Sequence, residues 1–181
     1  MTWGLPVTVD IQDTAYDIRT DYRCILDICA VIADPELDGR EKSEAVLDIF
    51  YPAYRTIPAK HLPEAVERCL WFVGGGEEHD GRKAPKLVDW EQDYPLLIAP
   101  VNRVLGGEAR KMEYLHWWTF LGAYQEIGDC TFAQVVRIRD RLARGKPLDK
   151  SDREWYRRNR QLVDFKNRYT EADALTMREW G

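Results

Sequence analysis

Apolar and polar residues alternate near the start of the chain. Val7, Val9 and Ile11 are separated by polar residues, and Tyr16-Asp17-Ile18-Arg19 alternates again after a short polar turn. Alternation with a period of two is typical of a strand with one buried face. The pattern therefore predicts a β-hairpin over residues 6–19. Because an isolated hairpin is only marginally stable in water, we expect it to pack on helices or to extend another sheet.

From residue 20 onward the apolar positions recur at the spacing of an amphipathic helix, i, i+3, i+4 and i+7. The pattern predicts a first helix with Thr20 as its N-cap. A second helix is expected to begin near Asp38. A third, with Pro63 in its first turn, is expected to end at Gly74-Gly75-Gly76.

The second half of the chain is also predicted to be helical. Pro95 and Pro100 interrupt the apolar pattern of residues 89–105, which indicates short helical pieces with kinks. Residues 113–127 are apolar on nearly all sides, which is typical of a central core helix.

Two further helices are predicted from cap motifs. Thr131 with Gln134, and Ser151 with Glu154, have the spacing of a capping box. The last helix is expected to carry four apolar residues on one side, namely Trp155, Tyr156, Leu162 and Val163. The predicted fold class is mainly α. It comprises a single helical domain over residues 1–170, with the hairpin at 6–19, helices within 20–168, and a loosely held tail at 171–181.

Composition supports a globular chain. Hydrophobic residues make up 45% of the 181 residues and charged residues 31%. No apolar run of about 18 residues occurs, so no membrane span is expected. The four cysteines form no Cys-x-x-Cys pair, and three of them fall in apolar helical patterns, which suits buried thiols in a reducing compartment.

Charge is distributed unevenly along the chain. Residues 131–170 hold twelve Lys/Arg and five Asp/Glu, a balance of +7, while the remainder carries −12. Three interpretations are open: a solvated face with pairs such as Asp140–Arg144, a docking face for an acidic protein surface such as another copy, or a nucleic-acid site. The pI of 5.3 argues against nucleic acid. The candidate protein-binding residues are Trp117, Trp118, Trp155, Tyr156, Arg153, Arg157 and Arg160.

No motif for catalysis or for a cofactor emerges from the sequence. Gly76 and Gly81-Arg82-Lys83 resemble a P-loop only superficially, because Arg82 stands where the lysine belongs. Glu113 and His116 have the Glu-x-x-His spacing of dimetal bundles, but the motif occurs once where such bundles need two. A structural histidine beside an aromatic core is the preferred interpretation. We expect no catalytic, cofactor-binding or metal-binding residues.

Two long segments resemble a known family. They are Tyr-Leu-His-Trp-Trp-Thr-Phe-Leu-Gly-Ala-Tyr-Gln-Glu-Ile-Gly-Asp at residues 114–129 and Arg-Leu-Ala-Arg-Gly-Lys-Pro-Leu-Asp-Lys-Ser-Asp-Arg-Glu-Trp-Tyr-Arg-Arg-Asn-Arg at residues 141–160. Shorter matching pieces are residues 18–23, 49–52, 89–95 and 100–105. On these segments the chain resembles the bacteriophage gene-product-fifteen (Gp15) family over roughly residues 5–165.

The resemblance implies a role in tail morphogenesis of long-tailed phages and prophages. Members of the family look like tail assembly chaperones, which would coat the tape-measure protein until tail-tube subunits replace them. The implied partners are the tape-measure protein, the major tail protein and further copies of the chain, with no membrane involved. The implied location is the host cytoplasm. The alternatives are a nucleic-acid-binding protein and a structural tail component that stays in the particle.

Overall fold

The computed structural model describes residues 4–77 and 85–166, and this part of the chain contains one β-hairpin and eight α-helices. The hairpin pairs strands β1 (Thr8–Ile11) and β2 (Thr14–Asp17) in antiparallel register, with Thr8 opposite Asp17 and Ile11 opposite Thr14. The helices are α1 (Tyr22–Ala33), α2 (Gly39–Phe50), α3 (Leu62–Val73), α4 (Trp90–Leu105), α5 (Trp117–Gln125), α6 (Thr131–Ala143), α7 (Lys150–Arg158) and α8 (Arg160–Val163). Short 3₁₀ turns occupy Tyr54–Thr56, Ala59–His61 and Ala109–Lys111. The prediction of a mainly helical fold with an N-terminal hairpin is confirmed.

The hairpin turns through Gln12 and Asp13, both with positive φ (46° and 61°). This conformation belongs to the two-residue turns whose twist matches that of the flanking strands. Val9 and Ile11 on β1 are buried. The amide of Gln12 donates to a carboxylate oxygen of Glu64 on α3 at 2.7 Å. The hairpin therefore packs on a helix, as its two-stranded size requires.

The predicted N-cap of the first helix is wrong by one residue. Asp21, not Thr20, caps α1, and its carboxylate accepts from the backbone N–H of Arg23 at 3.0 Å. A carboxylate accepts stronger bonds than a hydroxyl, and it also accepts from the N–H of Leu115 at 3.1 Å. The hydroxyl of Thr20 instead bonds the hydroxyl of Tyr114 at 2.6 Å.

Helices α2 and α3 begin where the sequence predicts, and α3 also ends there. Asp38 and Glu41 form a reciprocal capping box at the start of α2. Helix α3 has Pro63 in its first turn, and its last residue is followed directly by Gly74. Both helices turn their apolar residues inward, and Phe50 and Phe72 pack together with ring centroids 5.4 Å apart.

The prediction of short kinked pieces over residues 89–105 is wrong, because α4 is one helix of 16 residues with Pro95 and Pro100 inside it. Asp89 caps its start by accepting from the N–H of Gln92 at 3.0 Å. Leu97 and Val101 are fully buried. The packing of this apolar face, together with the cap, offsets the hydrogen bonds that the two prolines cannot donate.

The core helix expected over residues 113–127 is shorter than predicted. Leu115 and His116 are extended and pair with the chain before α1: the N–H of Tyr22 donates to Leu115 at 2.9 Å, and that of Trp117 donates to Thr20 at 2.7 Å. Helix α5 begins only at Trp117. The apolar run therefore supplies an extended segment and a helix in turn, which an all-apolar pattern cannot distinguish.

The two capping boxes predicted for the last helices are also wrong. Cys130 precedes α6 and its sulfur accepts from the N–H of Ala133 at 3.4 Å. Asp149 caps α7 and accepts from the N–H of Asp152 at 2.8 Å. The single final helix is broken at Asn159, whose φ of −124° and ψ of 29° separate α7 from α8.

Contacts between Cα atoms divide the chain into two units. The first unit comprises residues 1–80 and 112–122, and the second comprises residues 81–111 and 123–181. In the first, α1 packs on α2, α2 packs on α3, and α3 contacts β1, with Ile25 and Phe72 fully buried. In the second, α4 and α8 pack on α6 around Val135 and Ile138. The single domain predicted over residues 1–170 stays a prediction, and the predicted tail at 171–181 lies outside the described residues.

Candidate protein-binding surface

Helix α7 has an inward side made of aromatic residues and one carboxylate. Trp155 and Tyr156 are half-buried against a buried cluster on α6 and α8 that consists of Val135, Ile138 and Val163. Asp152 is 4% exposed, and it accepts from a guanidinium nitrogen of Arg137 at 2.9 Å. These contacts fix the rotation of α7 about its axis, so that the opposite side faces solvent.

The outward side of α7 is basic. Lys150, Arg153 and Arg157 follow one another at i, i+3 and i+7, which places them on one face of the helix, and all three are exposed. We call these three residues the basic stripe. Among the described residues, none of the three forms an ion pair, whereas nearby Arg144 pairs with Asp140 at 2.6 Å. The basic stripe therefore presents three positive charges on a fixed surface, with Glu154 as the exposed acidic residue beside it.

Arg160 does not belong to the basic stripe. Its guanidinium bonds a carboxylate oxygen of Asp164 at 3.2 Å and lies 5.7 Å from the ring centroid of Tyr156. The hydroxyl of Tyr156 donates to the other oxygen of Asp164 at 2.7 Å. This hydrogen bond to the carboxylate raises the pKa of the Tyr156 phenol. Arg160 and Tyr156 thus hold the chain that follows α8.

Arg139, one of the twelve Lys/Arg residues of the basic region at residues 131–170, is buried. Its side chain is 3% exposed and that of Asp93 is 0% exposed, and the two form a bidentate pair at 2.6 and 3.0 Å. The three remaining N–H groups donate to backbone carbonyls of Leu87, Leu162 and Val163 at 3.0, 2.9 and 2.7 Å. All five donors of the guanidinium are used.

Trp117 and Trp118 lie in the first unit, and their indole rings bond the C-terminal end of α3. The indole N–H of Trp117 donates to the carbonyl of Val73 and that of Trp118 to the carbonyl of Phe72, both at 2.9 Å. Trp117 is 1% exposed, so its ring is part of the core, whereas Trp118 is half-buried. The two tryptophans thus bond carbonyls at the end of α3, where the carbonyl of Phe72 also accepts from the N–H of Gly75 at 3.1 Å.

Trp118 also explains the glycine triplet after α3. Gly76 has a φ of +87°, and a Cβ atom there would lie 2.8 Å from the ring of Trp118. Gly75 has a φ of +78°, and its Cβ would lie 2.9 Å from Leu121. Trp71 meets Trp118 edge-on with ring centroids 5.6 Å apart. The glycines are therefore needed both for the backbone conformation and for the approach of α5.

The predicted binding residues thus fall in three environments. Trp117 belongs to the core of the first unit and Trp118 borders it. Trp155, Tyr156 and Arg160 hold α7 and the chain after α8. Only Arg153 and Arg157 are both exposed and without an ion pair among the described residues. Their role in binding another protein stays a prediction. Sequence reasoning did not identify Lys150, although its i−3 spacing from Arg153 could have revealed it.

His116 has a structural environment. Its Nδ1 accepts from the N–H of Trp118 at 3.0 Å, so Nε2 carries the proton and donates to the carbonyl of Pro6 at 3.0 Å. Its ring meets that of Phe72 edge-on. Among residues 4–77 and 85–166, no three His, Cys, Asp or Glu side chains converge as metal ligands do. The P-loop-like residues Gly81-Arg82-Lys83 lie outside the described residues.

Three thiols, those of Cys24, Cys29 and Cys69, are held away from the reactive thiolate form. Burial raises the pKa of Cys29 to about 12. It also raises the pKa of Cys69, which is fully buried, and that of Cys24. Because the thiolate is the nucleophile, these cysteines behave as small apolar residues at neutral pH.

A search of the described helices for a membrane span finds none with the necessary length and apolar character. A family model described as Bacteriophage Gp15 protein matches residues 1–93. Because this range covers half of the chain, the chain belongs to the bacteriophage Gp15 family. A search of curated proteins and a search of solved structures each gave no match. The resemblance expected for residues 114–129 and 141–160 lies beyond the matched range and stays a prediction.

Proposed function

We propose that this phage protein is a non-enzymatic tail assembly chaperone that binds the tape-measure protein in the host cytoplasm and associates with further copies of itself. Membership of the Gp15 family is the observation that carries the proposal. The resemblance noted from the sequence supplies the specific role. Fold alone does not define function, so the binding activity rests on surfaces that can be tested.

A chaperone for a long helical protein needs to hold exposed apolar stripes without holding them permanently. Recognition of a helix in a groove relies on a few apolar anchors at helical spacing. Several large apolar side chains are exposed in the described part of the chain, on helices and on the segments between them: Leu5, Val7, Leu70, Val104, Tyr114 and Leu142. Scattered contacts of this kind give modest affinity for each copy, and a coat of linked copies binds more tightly than one copy. The tape-measure protein is then released when subunits of the major tail protein replace the chaperone copies one after another.

Co-expression tests the proposal. The full chain is produced together with the tape-measure protein encoded by the same phage or prophage, and the soluble fraction of the tape-measure protein is measured. We expect a clear rise over the level obtained without the chain. An unrelated helical protein of similar size and pI serves as the control. An unchanged soluble fraction contradicts the chaperone function.

One observation favours the nucleic-acid alternative: the basic stripe has three exposed cations that form no ion pair with any residue the structure describes. Binding to phosphates would fall steeply with salt, with a slope of about one ion for each cation engaged. A mobility-shift assay at low salt with DNA and RNA tests this alternative, and no shift removes it. Mass spectrometry of purified particles separates the second alternative, a structural tail component, from a transient chaperone.

A further inference from the structure

We infer that the basic stripe on α7 docks onto the first unit of a second copy of this chain. The inference rests on the self-association included in the proposed function, and it names the surface and the partner. Three observations carry it: the exposure of the stripe, its lack of ion pairs, and the opposite charges of the two units. The contact is heterologous, because different surfaces of the two copies meet.

The stripe costs stability within its own helix. Arg153 and Arg157 stand at i and i+4, and like charges at this spacing repel. Of the two acidic residues on α7, Asp152 turns its carboxylate inward and bonds Arg137, whereas Glu154 is exposed beside the stripe but forms no ion pair with it among the described residues. Within the part of the chain that the structure describes, the stripe has no acidic neighbour in bonding range. An acidic partner surface would supply the negative charge that offsets the repulsion within the stripe.

The stripe is also held rigid. Asp149 caps the start of α7, while Trp155 and Tyr156 anchor its inner side on the apolar cluster of the second unit. Side chains on a fixed helix lose less conformational freedom on binding than those on a loop. The stripe therefore presents its charges at a constant spacing, which suits a specific protein contact.

The charge of the first unit identifies the partner. Its residues include seven Lys/Arg and seventeen Asp/Glu, a net charge of −10, whereas the second unit has nineteen and fourteen, or +5. The second unit of one copy and the first unit of another therefore attract each other. Complementary charge of this kind speeds association and sets the orientation of the two partners.

Charge reversal tests the contact in the full chain. Sedimentation velocity over a dilution series measures self-association of the wild type, of Arg153→Glu/Arg157→Glu, and of Arg153→Lys/Arg157→Lys. We expect the glutamate variant to raise the dissociation constant about tenfold or more and the lysine variant to change it little. Circular dichroism confirms that each variant is folded.

A matched control separates the surface from the net charge. Arg40 and Arg55 are exposed residues of the first unit. The variant Arg40→Glu/Arg55→Glu has the same change in net charge as the stripe variant, and it leaves the stripe intact. We expect its association to be as strong as that of the wild type or stronger. Equal weakening by both variants overturns the inference, because net charge would then explain the loss.

Photo-crosslinking identifies the partner surface. A photoreactive residue replaces Glu154, which is exposed beside the stripe, and labelled and unlabelled copies are mixed so that links between copies are recognised by mass. We expect links to residues 1–80 or 112–122 of the other copy. Links to the second unit, or within one copy only, overturn the inference. A wild type that stays monomeric at all concentrations contradicts the self-association as well, whereas association that ignores the stripe contradicts only the inference.

Discussion

The guanidinium of Arg139 on α6 donates to both carboxylate oxygens of Asp93 on α4. Its three remaining N–H groups donate to the backbone carbonyls of Leu87, Leu162 and Val163. The ring of Phe165 covers the guanidinium, with its centroid 4.2 Å from the central carbon. One side chain thereby joins α4, α6 and α8 and contacts the chain that follows α8. Helix α7, which carries the basic stripe, packs on α6 and α8 of the same unit through Trp155 and Tyr156.

Removing Arg139 leaves a buried carboxylate without a partner. We expect Arg139→Met to lower the free energy of unfolding by about 3–5 kcal/mol, as measured by urea denaturation. Arg144→Met breaks the exposed pair with Asp140 and serves as the control, with an expected loss of at most about 1 kcal/mol. Adding Asp93→Leu to Arg139→Met removes the orphaned charge, so stability is expected to recover in part. Equal losses for the two single variants contradict the role of Arg139.

Gly76 is predicted to tolerate no side chain. Gly76→Ala forces an unfavourable positive φ and pushes against Trp118, and we expect a loss of about 1–3 kcal/mol in thermal or urea unfolding. Gly122 lies within α5 with open space around its Cβ position and no positive φ. Gly122→Ala is therefore expected to stabilise the chain by about 0.5–1 kcal/mol. A neutral Gly76→Ala would show that the approach of Trp118 is not required.

The sequence predicts the hairpin and the first three helices well because local patterns specify them. Alternation, helical spacing, Pro63 and the glycine triplet each act within a few residues. Sequence patterns fail where contacts with distant segments determine the local structure. The burial of α4 overrides its two prolines, and strand-like pairing with the chain before α1 keeps Leu115 out of a helix. These outcomes depend on contacts between segments far apart in the chain.

The candidate site shows the same limit. Helical spacing correctly groups Arg153 with Arg157, but it cannot separate Arg139 from the rest of the basic region, because spacing does not reveal the carboxylate of Asp93 forty-six residues away. Trp117 and Trp118 are both candidate binding residues in the sequence, yet only the three-dimensional packing shows that one is core and the other borders it. Which aromatic residues a helix exposes follows from its neighbours and not from its composition.

The correction to the cap of α7 is testable. Asp149→Ala removes the carboxylate that accepts from the N–H of Asp152, and we expect a loss of about 1 kcal/mol in the free energy of unfolding. Ser151→Ala, at the position that the capping-box motif indicated, is expected to change stability by less than half of that amount. A larger loss of stability for Ser151→Ala than for Asp149→Ala would identify Ser151 as the cap of α7.

Alkaline pH is expected to destabilise the fold. Because burial raises the pKa of Cys29 to about 12 from an ordinary 9.0, the folded chain holds this proton more tightly than the unfolded chain. The contribution of this raised pKa to the free energy of unfolding is complete below pH 9. It is lost as pH rises towards 12, by up to about 1.4 kcal/mol for each pH unit. Urea midpoints across this range measure the fall.

The variant Cys29→Ala/Cys69→Ala is the control for the alkaline prediction. It removes two thiols whose pKa burial raises, so its stability is expected to fall less steeply with pH, although burial also raises the pKa of Tyr51. An identical slope for the variant and the wild type would show that these thiols do not contribute.

Light scattering during dilution of the tape-measure protein from denaturant tests the chaperone function most directly. Purified full-length chain is present in the refolding buffer at increasing ratios, and a helical protein of matched size and pI replaces it in the control. We predict that scattering falls as the ratio rises and that a soluble complex of the two proteins is recovered. Scattering that stays at the level of the control at every ratio contradicts the account.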